Sequence, residues 1–229
     1  MNTDTSVIIP VYNECVVVDD VIGDISKTFG HIICVDDGSS DGSDKIIENT
    51  TATLIKHPIN LGAGAATQTG IDYALQHQEV EYIITFDADG QHHTEDAVRM
   101  LNYIKNHDVD IVFGSRFLKD SEIKNISVVK KLFLRLAKVF SHFETGVNLT
   151  DPHIGLRVFN RRFAEKLNLR MSDFSHASEL VRKVREGNYR YAEIPVTITY
   201  SDYSKAKGQP MLNSVNIIFD LLLHRITKK

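Results

Sequence analysis

Through the first half of the chain, short apolar runs rich in β-branched residues alternate with longer stretches whose apolar positions recur every three or four residues. Residues 6–10 (SVIIP) read as a buried strand, followed by a loop and a helix over 15–28. Residues 32–35 (IICV) form a second strand, 43–48 a helical turn, 53–56 a short strand and 64–76 a helix. Residues 82–86 (YIITF) are the next strand; Thr94 is placed to cap a helix over 95–105, and 111–114 is a further strand. Strands that are apolar on both faces, spaced by helices, predict βαβ units and a mostly parallel sheet covered on both sides.

The second half is less regular. Residues 127–143 predict an amphipathic helix with Val128, Leu132, Leu136, Val139 and Phe143 on one face, and Lys130, Lys131, Arg135 and Lys138 on the other. Residues 155–160 read as a strand, 177–186 as a helix and 193–200 as a strand. A polar segment over 201–210 precedes a last amphipathic helix over 213–226. With no repeat or linker, the economical division is one α/β domain over 1–210, with 211–229 as a C-terminal helix that contacts a membrane or a second copy.

Composition narrows the classes. Of 229 residues, 42% are hydrophobic and 24% charged, which suits a globular core. The 26 Lys and Arg against 30 Asp and Glu leave a net charge of −4, which argues against a general nucleic-acid binder. Cys15 and Cys34, both in apolar surroundings, suggest a reducing compartment without a disulfide framework. No secretory leader pattern and no apolar run of roughly 20 residues is found, so a cytoplasmic protein, soluble or peripheral at the inner face of a membrane, is expected.

Polar clusters fall at the carboxyl ends of the predicted strands, where an open parallel sheet binds its ligands. They are Pro10-Val11-Tyr12-Asn13-Glu14, Asp36-Asp37-Gly38-Ser39, Asp87-Ala88-Asp89-Gly90-Gln91 and Ser115-Arg116. Asp87 and Asp89 can hold one hard cation, Mg²⁺ or Mn²⁺, with Gln91 adding a carbonyl oxygen and Gly90 turning the chain away. An acid at 36 or 37 can accept hydrogen bonds from a base or a ribose, although Asp, Gly and Ser also suit turns for their own sake. The glycine segment Asn60-Leu61-Gly62-Ala63-Gly64 leads into a helix whose N-terminus attracts anions, while tight packing on the sheet accounts equally well for Gly64 and Gly70. No second His or Cys lies at zinc-site spacing, so His57, His92 and His93 read as polar rim residues, with His92 nearest the sugar.

Six stretches in order carry a resemblance: VIIPVYNE (7–14), VDDGSSDGS (35–43), NLGAGAATQTG (60–70), FDADGQH (86–92), GSRF (114–117) and DPHIGLRVF (151–159). Together they resemble the family 2 glycosyltransferases of GT-A fold, a Rossmann-like sheet flanked by helices. The dolichol- and polyprenyl-phosphate mannose synthase branch and its bacterial polysaccharide-assembly relatives are most similar. The resemblance implies that Pro10, Tyr12, Glu14, Asp37 and Asp87 hold the nucleotide, and that Asp87, Asp89 and Gln91 hold the metal. It implies that Arg116 and Arg157 line the sugar or acceptor phosphate region, and that Asp151 and Glu179 are the acids beside the acceptor. Lys205 would sit in the loop that closes over the nucleotide sugar. One departure stands out: relatives often carry basic residues in the glycine segment, where this chain has Ala63 and Gln68.

The implied activity is inverting transfer of a sugar from a nucleoside-diphosphate sugar to a lipid-linked or glycan acceptor. If the acceptor is a sugar hydroxyl, Asp151 or Glu179 should remove its proton. If it is a polyprenyl phosphate, as for a mannosyl or glucosyl synthase, no strong base is needed. Both alternatives stand on sequence alone. A sugar-nucleotide nucleotidyltransferase is disfavoured, because its basic glycine-rich loop is replaced here by PVYNE.

Overall fold

The computed structural model describes residues 2–124, 146–171 and 175–207. The predicted helices over 127–143 and 213–226, and with them the segment 211–229, lie outside the described residues. In chain order the elements are β1 (Asn2–Val11), α1 (Val18–Ser26), β2 (Phe29–Asp36), α2 (Ser43–Ile47), β3 (Thr53–Lys56), α3 (Ala63–Ala74), β4 (Tyr82–Thr85) and α4 (Thr94–Asn106). There follow β5 (Ile111–Ser115), β6 (Glu122–Lys124), β7 (Arg157–Asn160), α5 (Arg161–Ala164), α6 (Ser175–Glu186), β8 (Tyr191–Pro195), β9 (Thr197–Thr199) and α7 (Asp202–Lys207).

Seven strands form the central sheet in the order β3-β2-β1-β4-β7-β5-β8. Pairing is parallel except at β7, which runs antiparallel to both neighbours, β4 and β5. Strand alternation splits the core into two layers. Val7, Ile9 and Val11 of β1 face α1 and α4, meeting Val18, Ile22, Ile25, Met100 and Leu101. Ile8, Ile33 and Val35 face the other way, toward Ala66, Ile71 and Ala74 of α3 and Leu180, Val181 and Val184 of α6. A Cβ on Gly70 would lie 2.4 Å from Ile8 Cγ2, so this glycine serves the packing of α3 on β1.

Two expectations change, and three short elements are added. The N-cap of α4 is His93, without a side-chain cap, and Thr94 is the first helical residue. The strand read over 193–200 is two strands: β8 pairs with β5, whereas β9 pairs with β6 in a separate two-stranded sheet, and buried Val196 sits between them. An apolar alternation continues through the switch, so periodicity alone hides it. Finally, β6, α5 and α7 span three, four and six residues, too few to display a period.

Candidate active site

The loop after β1 is sewn to the turn after β2. Asn13, at φ 55°, places its N–H on Ser39 Oγ (2.9 Å), and its Oδ1 accepts from Ser40 N (2.8 Å). Glu14 N donates to Ser43 Oγ (2.8 Å) and Cys15 N to Asp41 Oδ2 (3.0 Å). Desolvation alone would raise the Asp41 pKa, but hydrogen bonds from Ser43 and Cys15 hold it below the usual carboxylate range. Asp36 lies buried under this turn, accepting from Ser39 N at 3.4 Å. Asp37 lines the cleft, yet its Oδ1 accepts from Leu61 N (2.9 Å) and its Oδ2 from Gly62 N (2.7 Å). His57 completes the brace, with Nδ1 2.7 Å from Asp37 Oδ1 and Nε2 2.9 Å from Thr69 Oγ1. Thus Asp37 fixes the path of the glycine segment, and His57 is an interior residue, not the rim residue expected.

A cleft of about 470 Å³ opens beyond the ends of β1, β2 and β4, with Pro10, Tyr12, Glu14, Asp37, Asp87, Asp89 and Arg157 among its lining. Gly155 makes room for Asp87, since a Cβ there would stand 2.0 Å from Asp87 Oδ2. His92 Nε2 is 3.0 Å from the same Oδ2, and the imidazole packs edge-on against Phe86. At 3% side-chain exposure, His92 is a buried orienting partner of Asp87 and not a rim residue. With Asp87 ionised, Nε2 carries the proton, and Nδ1 finds no partner. His93, half-buried, meets Thr199 Oγ1 at 2.9 Å.

The two acids differ in how readily they ionise. Desolvation would raise Asp87, but the His92 hydrogen bond and the charges of His92, Arg157 and His176 hold it low. Desolvation and the neighbouring Asp87 push Asp89 up. Gln91 sides with Asp89: its backbone N–H donates to Oδ1 (3.1 Å) and its Nε2 to Oδ2. Two crowded carboxylates, one of them resisting ionisation, suit a cation that neutralises both. Among the described residues no three His, Cys, Asp or Glu side chains form a ready-made metal cage.

Arg116 and Asp151 come together, but with each other. Arg116 Nε and Nη2 meet the Asp151 carboxylate at 2.6 and 2.7 Å, Arg116 N donates to Oδ2 (3.1 Å), and Nη1 reaches Tyr200 Oη at 3.3 Å. Asp151 is 2% exposed. Glu179, 5% exposed, accepts from Arg170 N and Met171 N, both at 2.9 Å. Neither acid, nor Arg116, is among the described residues lining the cleft. Both candidate bases are therefore committed to interior bonds. Arg157 does reach the cleft at 2% exposure, and burial lowers its pKa to about 10 against the pull of Asp87 and Asp151.

From the C-terminal side, Tyr203 Oη donates to Glu14 Oε2 (3.0 Å), tying α7 to the first loop. Lys205 belongs to α7, and its side chain is outside the described part. Sequence reading passed over His153, Gly155 and His176, all of which line the cleft. The first two stand inside the DPHIG stretch and were within reach, while His176 has no local signal.

Residues 6–167 match the family model "Glycosyl transferase family 2". The UDP-N-acetylglucosamine–dolichyl-phosphate N-acetylglucosaminyltransferase of Methanococcus voltae is 30% identical, covering 96% of this chain and 96% of its own. The polyprenol monophosphomannose synthase of Mycolicibacterium smegmatis is 27% identical over 89% of this chain and 80% of its own. Glucosyl-3-phosphoglycerate synthase from Mycobacterium tuberculosis, in complex with Mn²⁺, UDP and glucosyl-3-phosphoglycerate, superposes with a TM-score of 0.72 at 16% identity, covering 96% of this chain and 79% of that one. That likeness speaks for the GT-A architecture alone.

Proposed function

The chain belongs to glycosyl transferase family 2, and from that premise we propose that it transfers a sugar from a nucleoside diphosphate to a polyprenyl phosphate. One observation carries the choice of acceptor: the acids expected to act as base are locked away, Asp151 in its pair with Arg116 and Glu179 on two backbone amides. The carboxylates among the described lining residues are Glu14, Asp37, Asp87 and Asp89. Glu14 holds Tyr203, Asp37 holds the glycine segment, and the other two are the metal pair. A phosphate acceptor is already anionic and needs no base. The named activities of the Methanococcus and Mycolicibacterium relatives point the same way.

In the reaction, a phosphate oxygen of the acceptor forms a bond to the anomeric carbon opposite the leaving diphosphate. The bond to the diphosphate breaks with its electron pair, and the configuration inverts. Pro10 and Tyr12 hold the nucleoside, on loops rigidified by Asn13, Ser39 and Asp41. Asp87, aimed by His92, and Asp89, steadied by Gln91, would hold Mg²⁺ or Mn²⁺. Such an ion supplies charge neutralisation to the departing diphosphate. Arg157 adds a fixed cation, and Lys205 would approach from the closing segment. No helix among the described residues is long and apolar enough to cross a membrane; contact with the lipid acceptor is assigned to the basic amphipathic sequence 127–143.

The test is product analysis with purified protein, Mn²⁺, a panel of nucleotide sugars, and either undecaprenyl phosphate or free glycans. Equimolar nucleoside diphosphate and a polyprenyl monophosphate sugar are expected. Transfer to a glycan hydroxyl with none to the lipid phosphate defeats the reading. Asp89→Ala should remove Mn²⁺-dependent donor binding while the protein stays folded.

A further inference from the structure

The loop that carries the Asp87–Asp89 pair is fastened from two directions. Inside, His92 Nε2 meets Asp87 Oδ2 at 3.0 Å and Gln91 N donates to Asp89 Oδ1 at 3.1 Å. Outside, the loop is tied to β9. Thr199 N donates to Gln91 O (3.0 Å), and Thr199 Oγ1 lies 2.9 Å from His93 Nε2. One residue of β9 therefore grips the loop on both sides of His92. The adjacent imidazoles serve different partners: His92, at 3% side-chain exposure, holds the acid, and His93 holds the strand.

β9 is anchored well enough to act as a support. Three residues paired with β6 would not hold their shape alone. Buried Ile198 and Tyr200 seat the strand in the core layer of α1 and α4. Buried Asp96, in the first turn of α4, accepts from Thr197 N at 2.6 Å. Helix and strand are thus joined at Asp96 and again at His93, where the metal loop ends. His93 is also the N-cap of α4, a position where Ser, Thr, Asp or Asn would bond the helix's own N–H groups. Its side chain forgoes that cap and reaches Thr199, so helix stability alone does not explain a histidine there.

Ionised Asp87 and Asp89 repel each other, and an unsupported loop would relax by spreading them. Groups that orient metal ligands from behind set affinity as well as geometry. We propose that Thr199 and His93 are positioning residues for a divalent cation: through them β9 splints residues 87–93, so that Asp87 and Asp89 stay aimed at one ion. The inference rests on the metal pair of the transferase reading, but cation binding is measurable without turnover.

The test is Mn²⁺ binding to the full-length protein, followed by loss of the free ion's electron paramagnetic resonance signal. The native protein should bind the ion and Asp89→Ala should not, which places it at the pair. Thr199→Val keeps the β-branched shape without the hydroxyl and should weaken Mn²⁺ binding about tenfold. Thr199→Ser should restore most of the affinity. His93→Ala should lose a similar amount, and His93→Gln, whose amide can still meet the hydroxyl, should recover part. The double variant Thr199→Val with His93→Ala should be no worse than either alone, because both remove the same bond. A merely structural role would lower the melting temperature in EDTA and leave the Mn²⁺ affinity of the folded protein within twofold of native; that result overturns the splint. Additive losses in the double variant, or no Mn²⁺ binding by the native protein, overturn it as well. Transfer to polyprenyl phosphate with unchanged Mn²⁺ affinities would remove the splint and keep the transferase reading. The expected affinity pattern without any such transfer would do the reverse.

Discussion

The two sides of the cleft are built differently. On the β1–β2 side, short hydrogen bonds between adjacent loops shape the turn: Asn13 to Ser39 and Ser40, Glu14 to Ser43, and Cys15 to the Asp41 carboxylate. On the β5–β7 side the shape rests on buried charge. Arg116 and Asp151 form a bidentate pair, and Glu193 braces Thr150 and Asp151 through their backbone amides. The first side distributes small contributions over many bonds; the second concentrates a large one in a single pair. Damage to the first should therefore reach ligand binding before stability, and damage to the second should reach stability first.

The sharpest test of that contrast removes one charge of the pair. Asp151→Ala leaves Arg116 buried without its partner and should cost about 3–5 kcal/mol in chemical denaturation. Replacing both residues with apolar side chains of similar volume should recover most of it. If the single variant loses under 1 kcal/mol, the pair is not the support described here.

Next in size is an acid-labile group on the same side. Burial first, then the charges of Arg157, Arg116 and His176, lower His153 to about 4 against the pull of Asp151. The folded state thus resists a proton that the unfolded state accepts near 6.5. The resulting stability is complete above about pH 6.5 and falls as pH drops toward 4, by on the order of 3 kcal/mol. His153→Gln should flatten that part of a stability–pH curve measured by urea denaturation, and an unchanged slope would reject the assignment.

Smaller effects belong to the other side. Asp37→Asn exchanges a charged acceptor of two backbone N–H groups for a neutral one and should cost about 1–2 kcal/mol, while raising the donor KM more than it lowers kcat. Tyr203→Phe removes the hydroxyl bond to Glu14 and should cost about 1 kcal/mol or less, read as faster proteolysis near α7. A larger loss of stability from Tyr203→Phe than from Asp151→Ala would reverse the comparison.

Much of the β1–β2 side was legible in the sequence, because its determinants are local. A strand of β-branched residues ending in Pro10, and a turn of Asp, Gly and Ser, announce themselves within ten residues. The charged side was not. That Asp151 would spend its carboxylate on Arg116, 35 residues earlier, has no periodic or compositional trace. The same holds for Glu179, whose partners Arg170 and Met171 are named by no motif. His57 and His92 were misplaced at the rim for the same reason: polarity suggests exposure until an acid is found beside the ring, buried Asp37 for His57 and half-exposed Asp87 for His92.

By itself, the sequence determined the α/β alternation, the strand ends that bear the chemistry, and the Asp87–Asp89 pair, since period and turn chemistry act over short distances. Tertiary structure decided which acids remain available, where the 193–200 segment changes sheets, and that β7 runs backwards to deliver Arg157 to the rim. Those outcomes follow from strand pairing and from the need to satisfy every buried charge, conditions set by residues far apart in the chain.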